Sequence, residues 1–313
     1  MTAIALTLAQ TLGVVLIAPL VVGYIRWVKA RLQSRRGADP LQPYREARKL
    51  FGKDMVIADS TSWIFHVAPL VVAATAIAAA ALVPVVFTGN AGGHLGDVFV
   101  LTALLMLGTV FLALGGLDPG TAFGGMGSSR EMTVAALTEP TIAIAVLALA
   151  LTIGSTSLGP IAEGIVRTPA SALGPGHALA FVAFLIAMLA EAGRLPVDNP
   201  STHLELTMIH EAMVLEYSGP YLAVLEWAGA LRLTLLLTLA ANLFLPWGIA
   251  VSATAPALGI GLLALVAKLL VLATLLAVLE TRIAKLRLFR VPELLAVSFT
   301  LALLAAASSF FTR

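Results

Sequence analysis

Stretches of about twenty apolar residues recur along this chain, and no other feature constrains its fold so tightly. They fall at about 3–25, 64–87, 98–117, 136–159, 177–195, 228–249, 256–280 and 293–311. A bilayer's hydrocarbon core is about 30 Å thick and a helix rises about 1.5 Å per residue, so roughly 20 apolar residues are needed to cross it. The segments are long and rich in Leu, Ala and Ile, without the alternation of a barrel strand, and a helix satisfies every backbone group within the span. Only 12% of the 313 residues are charged and 59% are hydrophobic, more apolar surface than a soluble domain of this length can bury. The expectation is an all-α integral membrane protein of about eight transmembrane helices, a single membrane domain over 1–313, with the 177–195 span the shortest.

The first segment runs more than 20 residues before its first charge, Arg26, and has no basic stretch ahead of it, so it reads as a retained span and not a cleaved signal. Cysteine is absent. That excludes disulfides, thiolate nucleophiles and Cys-ligated iron–sulfur or zinc sites, so any redox centre must sit in a partner.

Lys and Arg in short loops stay on the cytoplasmic side, and here they sort by loop parity. Nine of the 19 lie between Arg26 and Lys53, Arg130 follows the third span, Arg194 and Arg232 the fifth, and Arg282, Lys285, Arg287 and Arg290 the seventh. Opposite them stand Arg167 and the terminal Arg313. Both termini are therefore expected outside and the first, third, fifth and seventh loops inside; the first three of these differ in character, basic at 26–63, Gly-rich at 118–135 and acidic at 191–227. The basic loop has two readings, anionic-lipid contact and docking of a cytoplasmic partner. The pI needs no nucleic acid to explain it.

The acidic loop holds six of the chain's 17 acidic residues between Glu191 and Glu226. Pro196 and Pro200 argue for a turning entry, after which Thr202 and Glu205 fit a capping box and predict a helix over about 200–217. On such a helix Glu205 and Glu216 share one face. Leu204, Leu206, Met208, Ile209, Met213, Val214 and Leu215 surround the carboxylates with apolar groups, a setting in which desolvation disfavours the charged form and suits proton carriage near neutral pH. A solvated polar helix is the plain alternative. His203 and His210 are too far apart for a chelating pair, so no metal site is expected.

Elsewhere, Glu139 precedes Pro140 at the start of the fourth span, and Lys268 lies near the middle of the seventh, with Glu280 on almost the same face. A mid-span charge must face protein or water, so Lys268 is either half of a structural ion pair or an element of a proton path. Glu163 and Arg167, four apart, read as a surface pair. The run from Gly115 to Glu131 lacks both the Lys ending and the preceding strand of a phosphate loop. Backbone folded back into a protein-lined cavity, closed by Ser128 capping toward Glu131, fits it better.

Two motifs carry a family resemblance. Glu191-x-x-Arg194-x-Pro196-x-Asp198-x-Pro200, followed by Glu205 and Glu216-Tyr217-Ser218-Gly219, resembles the cytoplasmic loop of the complex I subunit 1 (NuoH/ND1-like) family, and eight spans with outside termini agree over nearly the whole chain. The Asp118–Glu131 and Asp198–Met213 runs resemble most the membrane subunit of group 4 nickel–iron hydrogenases, the hydrogenase-4 component C or formate hydrogenlyase type. The resemblance implies a non-catalytic heel that docks the hydrophilic large and small iron–sulfur subunits, beside antiporter-like membrane subunits, in a prokaryotic inner membrane. It implies coupling of electron transfer to proton or sodium movement, with the nickel–iron centre and iron–sulfur clusters in the partners. By that match Glu139, Glu191, Asp198, Glu205 and Glu216 are the coupling candidates, with Arg194 as their local counter-charge and Arg130 nine residues before Glu139. Lys268 joins the coupling candidates from its place in the seventh span, and Arg36 and Arg45, in the basic loop, join Arg130 as counter-charge or docking candidates. Complex I proper has further glutamates where Ser201 and His203 stand, which turns the expectation away from quinone. A quinone-binding subunit and an autonomous ion transporter are the competing readings.

Overall fold

A computed structural model describes residues 2–89, 96–169, 174–198 and 208–311. Long helices make up the body: α1 (Thr2–Leu32), α3 (Trp63–Leu82), α4 (Val98–Leu117), α5 (Ala122–Ile153), α7 (Pro175–Glu191), α9 (Gly219–Leu239, continued by a π turn, Ala240–Phe244), α10 (Ala255–Arg282) and α11 (Val291–Phe311). Three shorter α-helices lie between them among the described residues: α2 (Gln42–Phe51), α6 (Leu158–Arg167) and α8 (His210–Val214). Seven helices among the described residues are long and apolar enough to cross a membrane, and α7 is a shorter apolar one that packs against α5 and α11. Among the described residues there are no strands, only two isolated bridges. The expected all-α membrane fold with about eight spans is the observed one.

Side chains set the helix ends. Ser62, Asp97 and Thr121 each accept a hydrogen bond from a first-turn N–H, at 3.2, 2.8 and 3.3 Å, and so cap α3, α4 and α5. Gly154, at φ +81°, closes α5 in the left-handed conformation that favours glycine.

The four loops that collect the basic residues gather at one end of the bundle. The Ser62 hydroxyl donates to Asp118 Oδ1 at 2.5 Å, the backbone of Val56 and the Ser218 hydroxyl exchange hydrogen bonds, and Leu286 N donates to the Pro196 carbonyl at 2.9 Å. The connection after α3 and the one before α10 meet at the opposite end through the Phe87–Ala250 bridge.

Four expectations change. The Gly-rich stretch is loop only to Thr121 and helical from Ala122, because its glycines admit neighbouring backbone: a Cβ on Gly124 would lie 2.0 Å from the Gly116 carbonyl oxygen, and one on Gly127 2.9 Å from that of Ile209. Ser128 does not cap; buried within α5, it donates to the Ala113 carbonyl at 2.9 Å. The sixth span starts at Gly219 and not at about 228, so Glu226 lies inside a helix and not in a loop, and Arg232 lies well within it. The helix expected over 200–217 is, in the described residues, only α8; Ile209 has φ −120°, ψ −80° and Glu216 sits in a turn, while 199–207 lie outside the described residues.

Candidate functional site: a charged chamber at the basic end

A chamber of about 590 Å³ opens among α1, α7, α8, α9 and α10 at the basic end. Its wall from α1 and α9 is partly apolar, with Val22, Ile25, Leu222 and Leu225. Ionisable side chains line it as well: Lys29, Arg35 and Arg36 from α1 and the turn after it, Arg232 from α9, and Glu191, Arg194, Asp198, His210 and Glu280 from the other elements.

Three buried carboxylates organise it. Glu191, the last residue of α7, is 6% exposed; it is ion-paired to Arg232 and accepts from the Thr138 hydroxyl at 3.1 Å. Arg232 also donates to the Leu105 carbonyl at 3.3 Å and to the Thr109 hydroxyl, so α4, α5, α7 and α9 converge on this pair. Asp198 is 3% exposed and accepts from Lys285 Nζ at 2.6 Å and from the backbone N–H groups of Ile209 and His210 at 3.3 and 3.1 Å. Glu280, on α10, takes Lys29 at 2.8 Å and Arg194 at 3.3 Å. Buried carboxylates of this kind are tolerated only because each meets a cation and further donors.

Behind the chamber, α5 contributes Glu131 and Glu139, both 6% exposed and both in electrostatic range of Glu191 and Arg232. One oxygen of Glu139 is buried without a hydrogen-bond partner. In the connecting segment, His210 is half-buried, and burial together with Arg232 holds its imidazole below the ordinary histidine range despite Asp198 nearby. Burial likewise raises the phenol of Tyr217, which stacks on Phe65 with centroids 4.0 Å apart and donates to the Phe65 carbonyl at 3.2 Å.

The residues picked from sequence fare differently. Glu139, Glu191 and Asp198 are brought together around Arg232 and Lys285. Glu205 lies outside the described residues. Glu216 is exposed in the turn after α8, away from the buried carboxylates. Arg194, expected as the local counter-charge, pairs with Glu280, while Glu191 and Asp198 take their cations from Arg232 and Lys285, which arrive from elsewhere in the chain. Glu191 and Asp198 thus sit in an ionic shell. Arg130 donates to the Met208 carbonyl at 2.9 Å, Arg36 lines the chamber mouth, and Arg45 pairs with Asp39 at 3.0 Å on the surface. Glu163 and Arg167 form the expected surface pair at 2.5 Å.

Lys268 stands apart from the chamber. Of its two readings, the ion pair is not found among the described residues; its ammonium donates to Ala241 O, Leu245 O and Asn242 Oδ1. Sequence reading missed Arg232, Lys29, Lys285, Glu131 and Glu280 as members of the site. The available signal was that a charge inside or at the edge of an apolar span needs a partner, which pointed to Arg232 and Glu280 without saying to whom they pair.

Fold and site together define a multi-pass membrane protein whose helices carry a buried, mixed-sign ionic cluster opening at one end. The chain belongs to the NADH dehydrogenase family, whose model matches residues 4–310. It is 34% identical to formate hydrogenlyase subunit 4 of Escherichia coli (strain K12) over 96% of this chain and 97% of that protein, and 34% identical to hydrogenase-4 component C of the same organism over 95% and 93%. A subunit of the NADH-quinone oxidoreductase of Syntrophotalea carbinolica is 30% identical over 69% of each chain. In fold the chain is similar to a chain in the structure of the membrane-bound sulfane sulfur reductase, an archaeal respiratory membrane complex, with a TM-score of 0.80, 18% identity, and coverage of 97% of this chain and 98% of that one. The resemblance read from the acidic loop therefore holds.

Proposed function

We propose that this chain is the membrane-anchor and ion-coupling subunit of a multisubunit hydrogenase-like complex, docking a hydrophilic redox arm at its basic end and linking electron transfer to proton or sodium translocation. The observation that carries this reading is the chamber, where helices from both halves of the chain meet through Glu191–Arg232 and Glu280–Lys29–Arg194. Such a cluster shifts proton affinity when a neighbouring charge changes, which is what coupling to a redox event requires. The nickel–iron and iron–sulfur centres belong to partner subunits, since this chain has no cysteine. In this reading the basic end is cytoplasmic by the positive-inside rule, the membrane is a prokaryotic inner membrane, and antiporter-like subunits complete the membrane arm. Glu139, Glu191, Asp198, Glu205 and Glu216 are the proposed ion-handling carboxylates, and Arg36, Arg45 and Arg130 face the docked arm.

The test uses the intact complex in proteoliposomes. Glu191→Gln and Glu205→Gln are expected to leave subunit composition unchanged and to lower the ions moved per electron pair. Unimpaired translocation at normal turnover in both variants would count against the proposal.

The apolar α1–α9 wall favours a second reading, in which the chamber takes a quinone with its ring toward His210, since its volume is that of a small-molecule site. A photoreactive quinone that labels Val22, Ile25 or Leu225 in the intact complex would support it, and labelling confined to lipid-facing residues would remove it.

A further inference from the structure

The second polar cluster of the bundle lies where α9 stops being a helix. Its π turn is fully buried, with Ala240 through Phe244 each 0–1% exposed, and the chain leaves helical geometry at Leu245 (φ −126°, ψ 62°). A helix end leaves its last carbonyls without intrahelical donors and carries partial negative charge. At membrane depth every one of them needs a donor from the protein.

Lys268, from the middle of α10, supplies three. Its Nζ donates to Leu245 O at 2.8 Å, Ala241 O at 3.0 Å and Asn242 Oδ1 at 3.2 Å. Asn242 is fixed in turn, its Nδ2 donating to the carbonyls of Pro84 and Val85 at 2.8 and 2.7 Å. The Phe244 carbonyl is met by the His177 ring at 2.9 Å. An ammonium has three N–H donors, and here three oxygens accept them. All three oxygens are neutral, two from an unwound helix end and one from an amide. Unwound backbone carbonyls are the ligands that membrane proteins present to bound monovalent cations.

We propose that the π turn of α9 is a monovalent-cation site whose resident ion is the tethered ammonium of Lys268. With all its protons engaged, this lysine is a fixed structural cation and not a proton carrier. Once the tether is removed, the site accepts a small primary alkylammonium or an alkali cation.

Full-length chain in lipid nanodiscs, melted while tryptophan fluorescence is followed, provides the test. Lys268→Met keeps the stem and removes the charge, and is expected to lose several degrees of Tm. Lys268→Ala should lose more and regain most of the loss in millimolar methylammonium, but none in tetramethylammonium, which has no N–H. The absence of native cysteine allows a second route: Lys268→Cys alkylated with 2-bromoethylamine rebuilds an ammonium at this position and should restore Tm, whereas iodoacetamide should not. Where Lys268→Ala does not fold alone, its yield with and without methylammonium is the readout, and equal yields overturn the proposal. A Lys268→Met variant as stable as the parent, or methylammonium stabilising the parent as much as Lys268→Ala, also overturns it.

Discussion

The two ends of this bundle bury charge by different means. At the basic end, Glu191, Asp198 and Glu280 are held by arginines and lysines from other helices, so each cation and carboxylate exists in its environment only because the other does. At the π turn a lone lysine is held by carbonyls and an amide, with no carboxylate bound to it among the described residues. Pairs of opposite ionised groups respond when one partner changes charge, whereas a cation held by fixed dipoles has no partner to release. The first arrangement suits coupling and the second suits holding a backbone in place.

Breaking the central pair should have the largest effect. Arg232→Ala leaves Glu191 buried without its cation, a loss of about 3–5 kcal/mol in stability. Pairing it with Glu191→Gln should recover part of that, because a neutral amide costs less to bury. Thermal denaturation of the four members of the cycle gives the coupling, and simple additivity would show that the two ends do not differ as described. Glu280→Gln removes the partner of both Lys29 and Arg194, with an expected loss of about 3 kcal/mol. A Lys29→Met/Glu280→Gln double variant that is no better than Glu280→Gln would weaken the case for a shared site.

Lys285→Ala should cost less, about 1–2 kcal/mol, since Asp198 retains the N–H groups of Ile209 and His210. The segment should also respond to acid. Because burial depresses the His210 pKa, the unfolded segment binds more protons than the folded one between the folded pKa and about 6.5. Its stability is thus fully present above pH 6.5 and is lost as pH falls below that value, by at most ~1.4 kcal/mol per pH unit for a single proton. Amide hydrogen exchange over 208–218 between pH 7.5 and 5.5 reports it, and His210→Gln should flatten the profile. The smallest effect belongs to the exposed Arg26–Glu46 pair at 3.2 Å, whose removal should cost under about 1 kcal/mol. A larger loss there would blur the distinction between surface pairs and the chamber.

The spans were legible because an apolar run of fixed length records the thickness of the bilayer in one dimension. The acidic loop was legible as a cluster, and its motif identified the family. Partnership was not. Arg194 sits beside Glu191 and Asp198 in sequence yet binds Glu280, 86 residues away, since the turn after α7 aims its side chain across the chamber. Arg232 read as a charge at the edge of the sixth span with no visible partner, because the carboxylate that permits its burial lies on another helix. The Gly-rich run read as loop because its glycines serve interhelical contact, which composition alone cannot separate from a turn.

Sequence by itself determined that the chain crosses a membrane about eight times, which loops collect positive charge and to which family it belongs; hydropathy, charge asymmetry and local motifs are properties of contiguous residues. Tertiary structure alone decided that Arg232 answers Glu191, that Lys285 answers Asp198 and that Lys268 is answered by backbone. A buried charge is stable only against groups that packing brings to it, and those groups lie tens to hundreds of residues away along the chain.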